Sequence, residues 1–291
     1  DSDTLTIINK NAADPLHKNE KIPLSFSSAF NQVNVLYQSN AGDIYIGTLL
    51  QGLYIIPHSL QNMYDKKQWL HISVENDKAL PSNNIYAVTE DSNGIIWLGT
   101  YKGVCNYNPK TRQAQAVYVS PKQMVVSDYI IRTLCTDADN TIWCGSDNGL
   151  YLIKNNTVIK TFRNDETNAA SISNNGITVV FPDRNKNIWI GTKAGLNLFN
   201  KTKNNFQRFT LQSGLPSDGI RSIQEDTNGH LWVGTNNGLV KFNTSDKKIA
   251  AYGIEDGLCS NQFGTNAADR DNEGSLYFGT NNGLVSFRPG N

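Results

Sequence analysis

The 291-residue sequence contains no long hydrophobic run and no cluster of Lys or Arg. A helix that crosses a bilayer needs about 20 consecutive apolar residues, and a nucleic-acid-binding face needs concentrated positive charge. The formal net charge is zero, with 26 basic and 26 acidic residues. We therefore expect no membrane contact by this chain itself and no binding of DNA or RNA.

Cysteine is also scarce. The four cysteines are Cys105, Cys135, Cys144 and Cys259. They are too few for a disulfide scaffold and lack the spacing of a zinc site. Cys135 and Cys144 fall on the two strands of one predicted hairpin, where a bridge is conceivable. Their equivalents in the preceding repeat, Thr89 and Leu98, are ordinary strand residues, so we expect buried or inert thiols.

Patterns for metal binding and catalysis are missing as well. The segment 269–274 begins like a calcium loop, but its twelfth position is Thr280, where a bidentate Glu would be needed. No Ser nucleophile elbow, metal-binding His pair or phosphate loop occurs. The histidines fall at unrelated positions, namely His17, His58, His71 and His230. We therefore expect no metal, no cofactor and no catalytic residue.

The sequence does contain one motif six times. It consists of an apolar strand, an Asp-x-Asn-Gly-like turn, and a segment of the form Trp-(apolar)-Gly-Thr-x-x-Gly-Leu. The first Gly of that segment recurs at Gly47, Gly99, Gly145, Gly191, Gly234 and Gly279. A period near 45 residues with several short strands is typical of β-propeller blades. The repeats span residues 31–58, 83–109, 129–154, 175–201, 218–244 and 263–288.

The sequence therefore predicts an all-β fold, a single β-propeller domain over residues 1–291 built from four-stranded antiparallel blades. In the repeat at 220–252 we expect strands at 220–224, 231–234, 238–243 and 248–252. The Thr4–Asn9 segment is apolar and could supply the outer strand of the last blade, closing the ring by pairing of the termini. Six blades are visible, and a seven-bladed ring would need one that this chain does not contain.

Two repeated side chains have predicted structural roles. The turn Asp can hydrogen-bond backbone N–H groups two residues on. It occurs at Asp91, Asp137, Asp183, Asp226 and Asp271. The Gly three residues later supplies positive φ, so Asn140 and Lys186 at that position predict strained or differently shaped turns. The strand aromatic is expected to pack between blades rather than to stack on sugars. It occurs at Tyr45, Trp97, Trp143, Trp189, Trp232 and Tyr277.

These motifs closely resemble the two-component regulator propeller repeats in the extracytoplasmic sensor regions of bacterial hybrid two-component systems. The matching stretches include 177–199, 220–242 and the linkers that begin at Leu80 and Gly214. The resemblance implies a periplasmic, non-catalytic sensor of oligosaccharides that self-associates as a homodimer through the full-length protein. The membrane helix, histidine kinase and response-regulator modules would lie outside this chain. Rings in such sensors usually have seven blades, which leaves six or seven open.

The ligand site is expected where the repeats differ. In a propeller, the loops from strand two to strand three and from strand four to strand one open on one face around the channel. Side chains there offer hydrogen bonds and stacking for a sugar, and Arg132 and Arg221 suit a carboxylate or sulfate. The candidates are Tyr101, Lys102, Tyr129, Arg132, Asp147, Asn148, Lys193, Asp218, Arg221, Asn236, Asn237, Phe263, Asn281 and Asn282.

Three functions remain open at this level. An oligosaccharide sensor is favoured, although Asn-rich turns also form without any ligand. A protein-interaction scaffold would present a large exposed apolar face. A glycan lyase or hydrolase would need carboxylates that converge in three dimensions, and Asp128, Asp147 and Asp218 lie on the predicted ligand face.

Overall fold

The structure, a computed structural model, describes residues 4–6, 21–23, 32–60, 65–120, 123–124 and 130–290. Strands β1 (Thr4–Thr6) and β2 (Lys21–Pro23) form a two-stranded antiparallel sheet of their own. The other strands follow the repeats, and 3₁₀ turns lie at Lys66–Gln68, Leu211–Ser213 and Ile254–Asp256. Within these ranges, no helix is long and apolar enough to span a membrane.

Each repeat forms one antiparallel sheet whose strands follow in chain order. The first blade contains β3 (Val33–Gln38), β4 (Ile44–Thr48), β5 (Leu53–Ile56) and β6 (Leu70–Ile72). The second contains β7 (Ile85–Glu90), β8 (Ile96–Thr100), β9 (Gly103–Asn108) and β10 (Gln113–Ala116). A short hairpin follows, made of β11 (Tyr118–Ser120) and β12 (Gln123–Met124).

The later blades keep this pattern. The third contains β13 (Ile131–Thr136), β14 (Ile142–Ser146), β15 (Gly149–Lys154) and β16 (Thr157–Phe162). The fourth contains β17 (Ile177–Pro182), β18 (Ile188–Thr192), β19 (Gly195–Asn200) and β20 (Asn205–Phe209). The fifth contains β21 (Ile220–Glu225), β22 (His230–Thr235), β23 (Gly238–Asn243) and β24 (Ile249–Tyr252). The sixth contains β25 (Phe263–Arg270), β26 (Leu276–Thr280) and β27 (Gly283–Phe287).

The prediction of an all-β propeller is confirmed, and of the two ring sizes left open the structure has six blades. The strands of the fifth blade lie within one residue of their expected bounds. Two features differ from the expectation. Strand β11 pairs in parallel with β16, so the inserted hairpin extends the third blade to six strands. Strand β1 pairs with β2 and not with the sixth blade, which has three strands in the described part of the chain. The predicted pairing of the termini is therefore corrected for residues 4–6, and residues 7–9 lie outside the described ranges.

Apolar side chains from adjacent blades meet in shared cores, because each sheet has two faces to bury. Five such clusters occur among the described residues, one at each junction from blade one to blade six. Trp189, fully buried, lies 5.4 Å from Phe242 of the next blade and 6.0 Å from Phe209, measured between ring centroids. The predicted role of the repeated aromatic residue in packing is confirmed.

Each turn Asp fixes both its turn and the aromatic residue of its blade. In the fifth blade, Asp226 Oδ1 accepts hydrogen bonds from the N–H groups of Asn228 (2.8 Å) and His230 (3.0 Å), which confirms the predicted turn. Its Oδ2 accepts the indole N–H of Trp232 at 3.0 Å. The same contact joins Asp91 to Trp97, Asp137 to Trp143 and Asp183 to Trp189. In the sixth blade the Tyr277 hydroxyl group donates to Asp271 Oδ2 at 2.9 Å. This second role was not predicted from the sequence.

The turns of the third and fourth blades keep the common shape although they lack glycine. Asn140 and Lys186 have φ values of 57° and 65°, near the 76° of Gly94. The Asn140 N–H donates to the Asp137 carbonyl at 3.0 Å, as Gly94 does to Asp91. A left-handed backbone costs roughly 1–2 kcal/mol for a residue with a Cβ, so these turns are strained rather than differently shaped.

The cysteines do not form a disulfide. Cys135 packs in the core between blades three and four, whereas Cys144 packs in the core between blades two and three. The two thiols therefore lie on opposite faces of one sheet, and all four cysteines are free. Burial raises the pKa of the Cys105, Cys135 and Cys144 thiols, which keeps them in the unreactive protonated form. Cys259, in contrast, is exposed.

Candidate functional site

The two sets of predicted ligand loops lie together on one face of the propeller, here called the loop face. It comprises the loops from strand two to strand three of each blade and, within the described residues, the linkers that lead into the first strands. Backbone hydrogen bonds join these loops across neighbouring blades. In each case the N–H group of a glycine donates to a backbone carbonyl group at 2.7 to 2.8 Å. The pairs are Gly52 and Asn83, Gly149 and Asn175, Gly195 and Asp218, and Gly238 and Asn261. The loops of these neighbouring blades are therefore joined into a shared surface.

Each loop from strand two to strand three is held by the hydroxyl group at the end of strand two. Thr235 Oγ1 donates to the carbonyl of Gly238 at 2.8 Å and accepts from the N–H of Asn237 at 3.0 Å. Ser146, Thr100, Thr192 and Thr280 make the same pair of contacts. Because the backbone is satisfied internally, the loop side chains are free to vary.

Most of the predicted loop side chains are accessible. Tyr101 is 46% exposed, which leaves its ring available for stacking. The other exposed candidates are Lys102, Lys193, Asn236, Asn237, Asn281 and Asn282, and the partly buried ones are Arg132, Asp147, Asn148, Asp218 and Arg221. Asp218 also has a local role, because its Oδ1 accepts the N–H of Leu211 at 2.6 Å.

One of the predicted residues does not join this surface. Phe263 is 3% exposed and packs against Phe278 in the core between blades five and six. It occupies the strand position taken elsewhere by Ile85, Ile131, Ile177 and Ile220, and these four isoleucines are fully buried. The prediction that Phe263 stacks on a sugar is therefore corrected. Tyr129 lies outside the described residues.

An ion-pair network occupies the loop face at the third blade. Arg132 Nε and Nη2 donate to the two carboxylate oxygens of Asp147 at 2.7 and 2.9 Å. Lys193 Nζ, from the fourth blade, lies 3.6 Å from Asp147 Oδ1. Burial alone would raise the pKa of Asp147, but the hydrogen bond and charge of Arg132, together with Lys193, lower it below its ordinary value. The bond to Asp147 in turn raises the pKa of Arg132.

A channel runs between the first strands of all six blades. Its cavity of about 530 Å³ is lined by both polar and apolar side chains, including Asn34, Tyr86, Arg132, Gln224 and Asn266. The volume is in the range of small-ligand sites. The sixth blade narrows the channel from one side, because Asn266 Nδ2 donates to the carbonyl of Arg132 across it at 2.7 Å.

A sequence profile of the two-component regulator propeller family matches residues 79–102, 171–194 and 214–237. These segments cover the loop-face linker and the first two strands of the second, fourth and fifth blades. The resemblance inferred from the sequence is therefore confirmed, because three of the six repeats match this family.

Two relatives are a histidine kinase and a domain of a two-component system. Histidine kinase P4 of Formosa agariphila is 32% identical over 182 residues, which are 60% of this chain and 12% of the kinase. The extracellular domain of a hybrid two-component system from B. thetaiotaomicron superimposes with a TM-score of 0.75 and 25% identity, over 89% of this chain and 34% of that one. The chain thus spans a small part of the length of each relative.

The fold is shared more widely. Virginiamycin B lyase from Staphylococcus aureus superimposes with a TM-score of 0.63 over 87% of this chain and 83% of the lyase. The identity is 13%, so this likeness concerns the fold alone, which hosts many unrelated functions.

Proposed function

We propose that this propeller is the extracytoplasmic ligand-sensing part of a two-component signalling protein, located in the periplasm, and that it binds an oligosaccharide on the loop face. The observation that carries the proposal is the mixed chemistry of this face around the channel. Exposed amides, ammonium groups and the ring of Tyr101 surround the opening. Sugars present hydroxyl groups at their edges and an apolar ring face, so amides and an aromatic ring complement them.

The similarity to a histidine kinase and to the extracellular domain of a hybrid system supports a sensing role. In the full-length sensor, two such propellers would associate as a homodimer, and the bound oligosaccharide would alter how each ring packs on its neighbours. Such coupling requires two states with different affinities for the ligand.

The chemistry of the carboxylates supports binding rather than catalysis. A general acid in a glycosidase needs a raised pKa, whereas the pKa of Asp147 is lowered by its partners. Asp218 caps a backbone N–H instead of facing a second carboxylate. His71 stacks on Tyr54, and His230 contacts Asp226 at the opposite edge of the propeller.

The test is isothermal titration of the purified chain with a panel of neutral and acidic oligosaccharides, followed by chromatography of the sugars. We expect at least one to bind and to remain uncut. A ligand at 100 times its Kd should also stabilise the fold by about 2.7 kcal/mol. Tyr101→Ala and Lys102→Ala should each weaken binding about tenfold, since each removes a side chain from the loop face.

Lys203→Ala is the matched control, because Lys203 is equally exposed but lies in the turn between β19 and β20, at the edge opposite the loop face. Equal loss of affinity in Lys102→Ala and Lys203→Ala would contradict a site on the loop face. Cleavage of the bound sugar would favour an enzyme, and binding of no sugar across the panel would favour an interaction scaffold.

A further inference from the structure

Arg132 and Arg221 occupy the same position in two blades, one residue into the first strand. Each guanidinium reaches the residue 15 positions later, in the loop between strands two and three of its own blade. In the third blade this residue is Asp147, which accepts two hydrogen bonds from Arg132. In the fifth blade it is Asn236, whose Oδ1 accepts one bond from Arg221 Nε at 2.5 Å.

The two arginines therefore differ in charge balance. Asp147 neutralises Arg132, whereas Asn236 offers only a neutral amide to Arg221. Among the described residues, no carboxylate lies within 4 Å of the Arg221 guanidinium. The positive charge of Arg221 is thus fixed in place by hydrogen bonds, and no acidic group in the described part of the chain compensates it.

The sixth blade supplies a second contact that holds Arg221. Fourteen residues separate Phe263 from Tyr277, whereas twelve separate the equivalent Ile220 and Trp232, so β25 contains two additional residues. The strand accommodates them as a bulge, with Asn266 in the left-handed region at φ 54°. No other blade carries this insertion in its repeat.

The bulge places Thr265 beside Arg221 and Asn266 across the channel. Thr265 Oγ1 accepts a hydrogen bond from Arg221 Nη1 at 3.1 Å. A guanidinium has five N–H donors, and Asn236 and Thr265 engage two of them, which leaves three for a ligand. Thr265 also lines the channel cavity, so the guanidinium lies next to a residue of the channel wall.

We propose that Arg221 binds the carboxylate or sulfate group of an acidic oligosaccharide at the mouth of the channel, held in position by Asn236 and by the bulge of the sixth blade. Arginine is suited to such groups because its donors match two oxygens of the anion. Arg132 does not bind the anion, since its Nε and Nη2 groups already donate to the carboxylate of Asp147. This inference rests on the proposed function and specifies the class of sugar.

A direct test uses inorganic sulfate as the probe, which makes it independent of the identity of the sugar. The Nε–Hε signals of Arg221 and Arg132 are followed by NMR while sodium sulfate replaces sodium chloride at constant ionic strength. We expect a saturable shift at Arg221 with an affinity at least tenfold higher than any change at Arg132. Equal responses of the two arginines, or none at Arg221, would overturn the proposal.

Exchanging the two loop residues provides matched variants. Asn236→Asp should give Arg221 the ion pair that Arg132 has and abolish its response to sulfate. Asp147→Asn should leave Arg132 with an amide partner and create a response there. A response of Arg221 that survives in Asn236→Asp would contradict the role of its uncompensated charge.

The acidic oligosaccharide is tested with trigalacturonate and its methyl ester, which has the same shape without the charge. For this pair we expect the acid to bind at least tenfold more tightly, and Asn236→Asp to remove that preference. Binding of neutral oligosaccharides without a sulfate response would refute this inference while leaving the proposed function intact. A sulfate response without binding of any oligosaccharide would refute the proposed function instead.

Discussion

The loop face and the opposite edge of the propeller, formed by the hairpin turns, are built from the same six repeats but differ in how uniform they are. At the turn edge, an Asp carboxylate holds the aromatic residue of its blade in five of the six repeats. On the loop face, equivalent positions hold Leu49, Tyr101, Asp147, Lys193, Asn236 and Asn281. The identity of a side chain that packs in the core is constrained by the geometry of the core. The identity of a loop side chain is not constrained in this way, because the loop backbone forms its hydrogen bonds within the loop. Positions with the same residue in most repeats therefore indicate a structural role. Positions whose residues differ indicate where a specific ligand can be recognised.

The largest effect is expected from Asp226→Ala at the turn edge. The change leaves the buried indole N–H of Trp232 and two turn N–H groups without their acceptor. Unsatisfied buried donors are costly, so the free energy of unfolding should fall by about 3 kcal/mol. Urea unfolding measures the change. Asp246→Ala, at an exposed turn where the carboxylate pairs with Lys248, should lower the free energy of unfolding far less, because water screens an exposed ion pair. Equal losses in both variants would contradict this view of the turn edge.

The next effect concerns the repeated Gly that brings adjacent sheets together. A Cβ on Gly145 would lie 2.5 Å from Ile177 Cγ2 and 2.6 Å from Thr133 Cγ2. Gly145→Ala should therefore destabilise the fold by about 2 kcal/mol through overpacking. Gly290→Ala is the control, because a Cβ there meets no atom within 4 Å. A loss of stability no greater than in this control would show that the blades can separate at little cost.

A smaller effect is expected on the loop face, from Asp147→Asn. Because folding lowers the pKa of Asp147, its stabilisation is complete above the ordinary value of about 3.9 and is lost as the pH falls through the lower folded-state pKa. The wild type should exceed Asp147→Asn by about 1 kcal/mol at pH 7, and the difference should shrink below pH 4. Urea unfolding at several pH values tests this, and a difference that does not change with pH would exclude the ion pair as its source.

The smallest effect should be a gain in stability. Lys186→Gly relieves a left-handed residue, which costs roughly 1–2 kcal/mol when a Cβ is present, but it adds freedom to the unfolded chain worth about 0.4–1 kcal/mol. A net gain of about 0.5 kcal/mol in unfolding free energy is expected. Asn140→Gly should change stability less, because Asn tolerates this conformation better than Lys. A loss in Lys186→Gly would indicate that the side chain contributes contacts that outweigh the strain.

Much of the fold could be predicted because the repeats reinforce one another. The strand bounds near Ile220 and Gly238, the Asx turn at Asp226 and the packing role of Trp189 follow from local patterns that recur at a fixed period. The hairpin formed by β11 and β12 was missed because it occurs once, between two repeats, and lacks such support.

Predictions for the site were less complete, because contacts between distant residues leave no local pattern. Phe263 was misjudged as a surface residue, since its neighbour Gln262 belongs to the loop while Phe263 begins a buried strand. The contact between Asn266 and the Arg132 carbonyl joins residues 134 positions apart. Counting residues within the repeat reveals the two additional residues of β25. The count does not reveal that the resulting bulge faces the channel.

The sequence by itself therefore determined the propeller repeat, its six copies and the face on which the copies differ, because period, turn residues and apolar alternation are local properties. Only the tertiary structure decided how the variable residues are paired. Arg132 and Arg221 are the same residue in equivalent positions, yet one faces a carboxylate and the other an amide at the rim of the channel. Their charge balance depends on which side chains the closed loops bring within hydrogen-bonding distance, and that is a property of the folded ring.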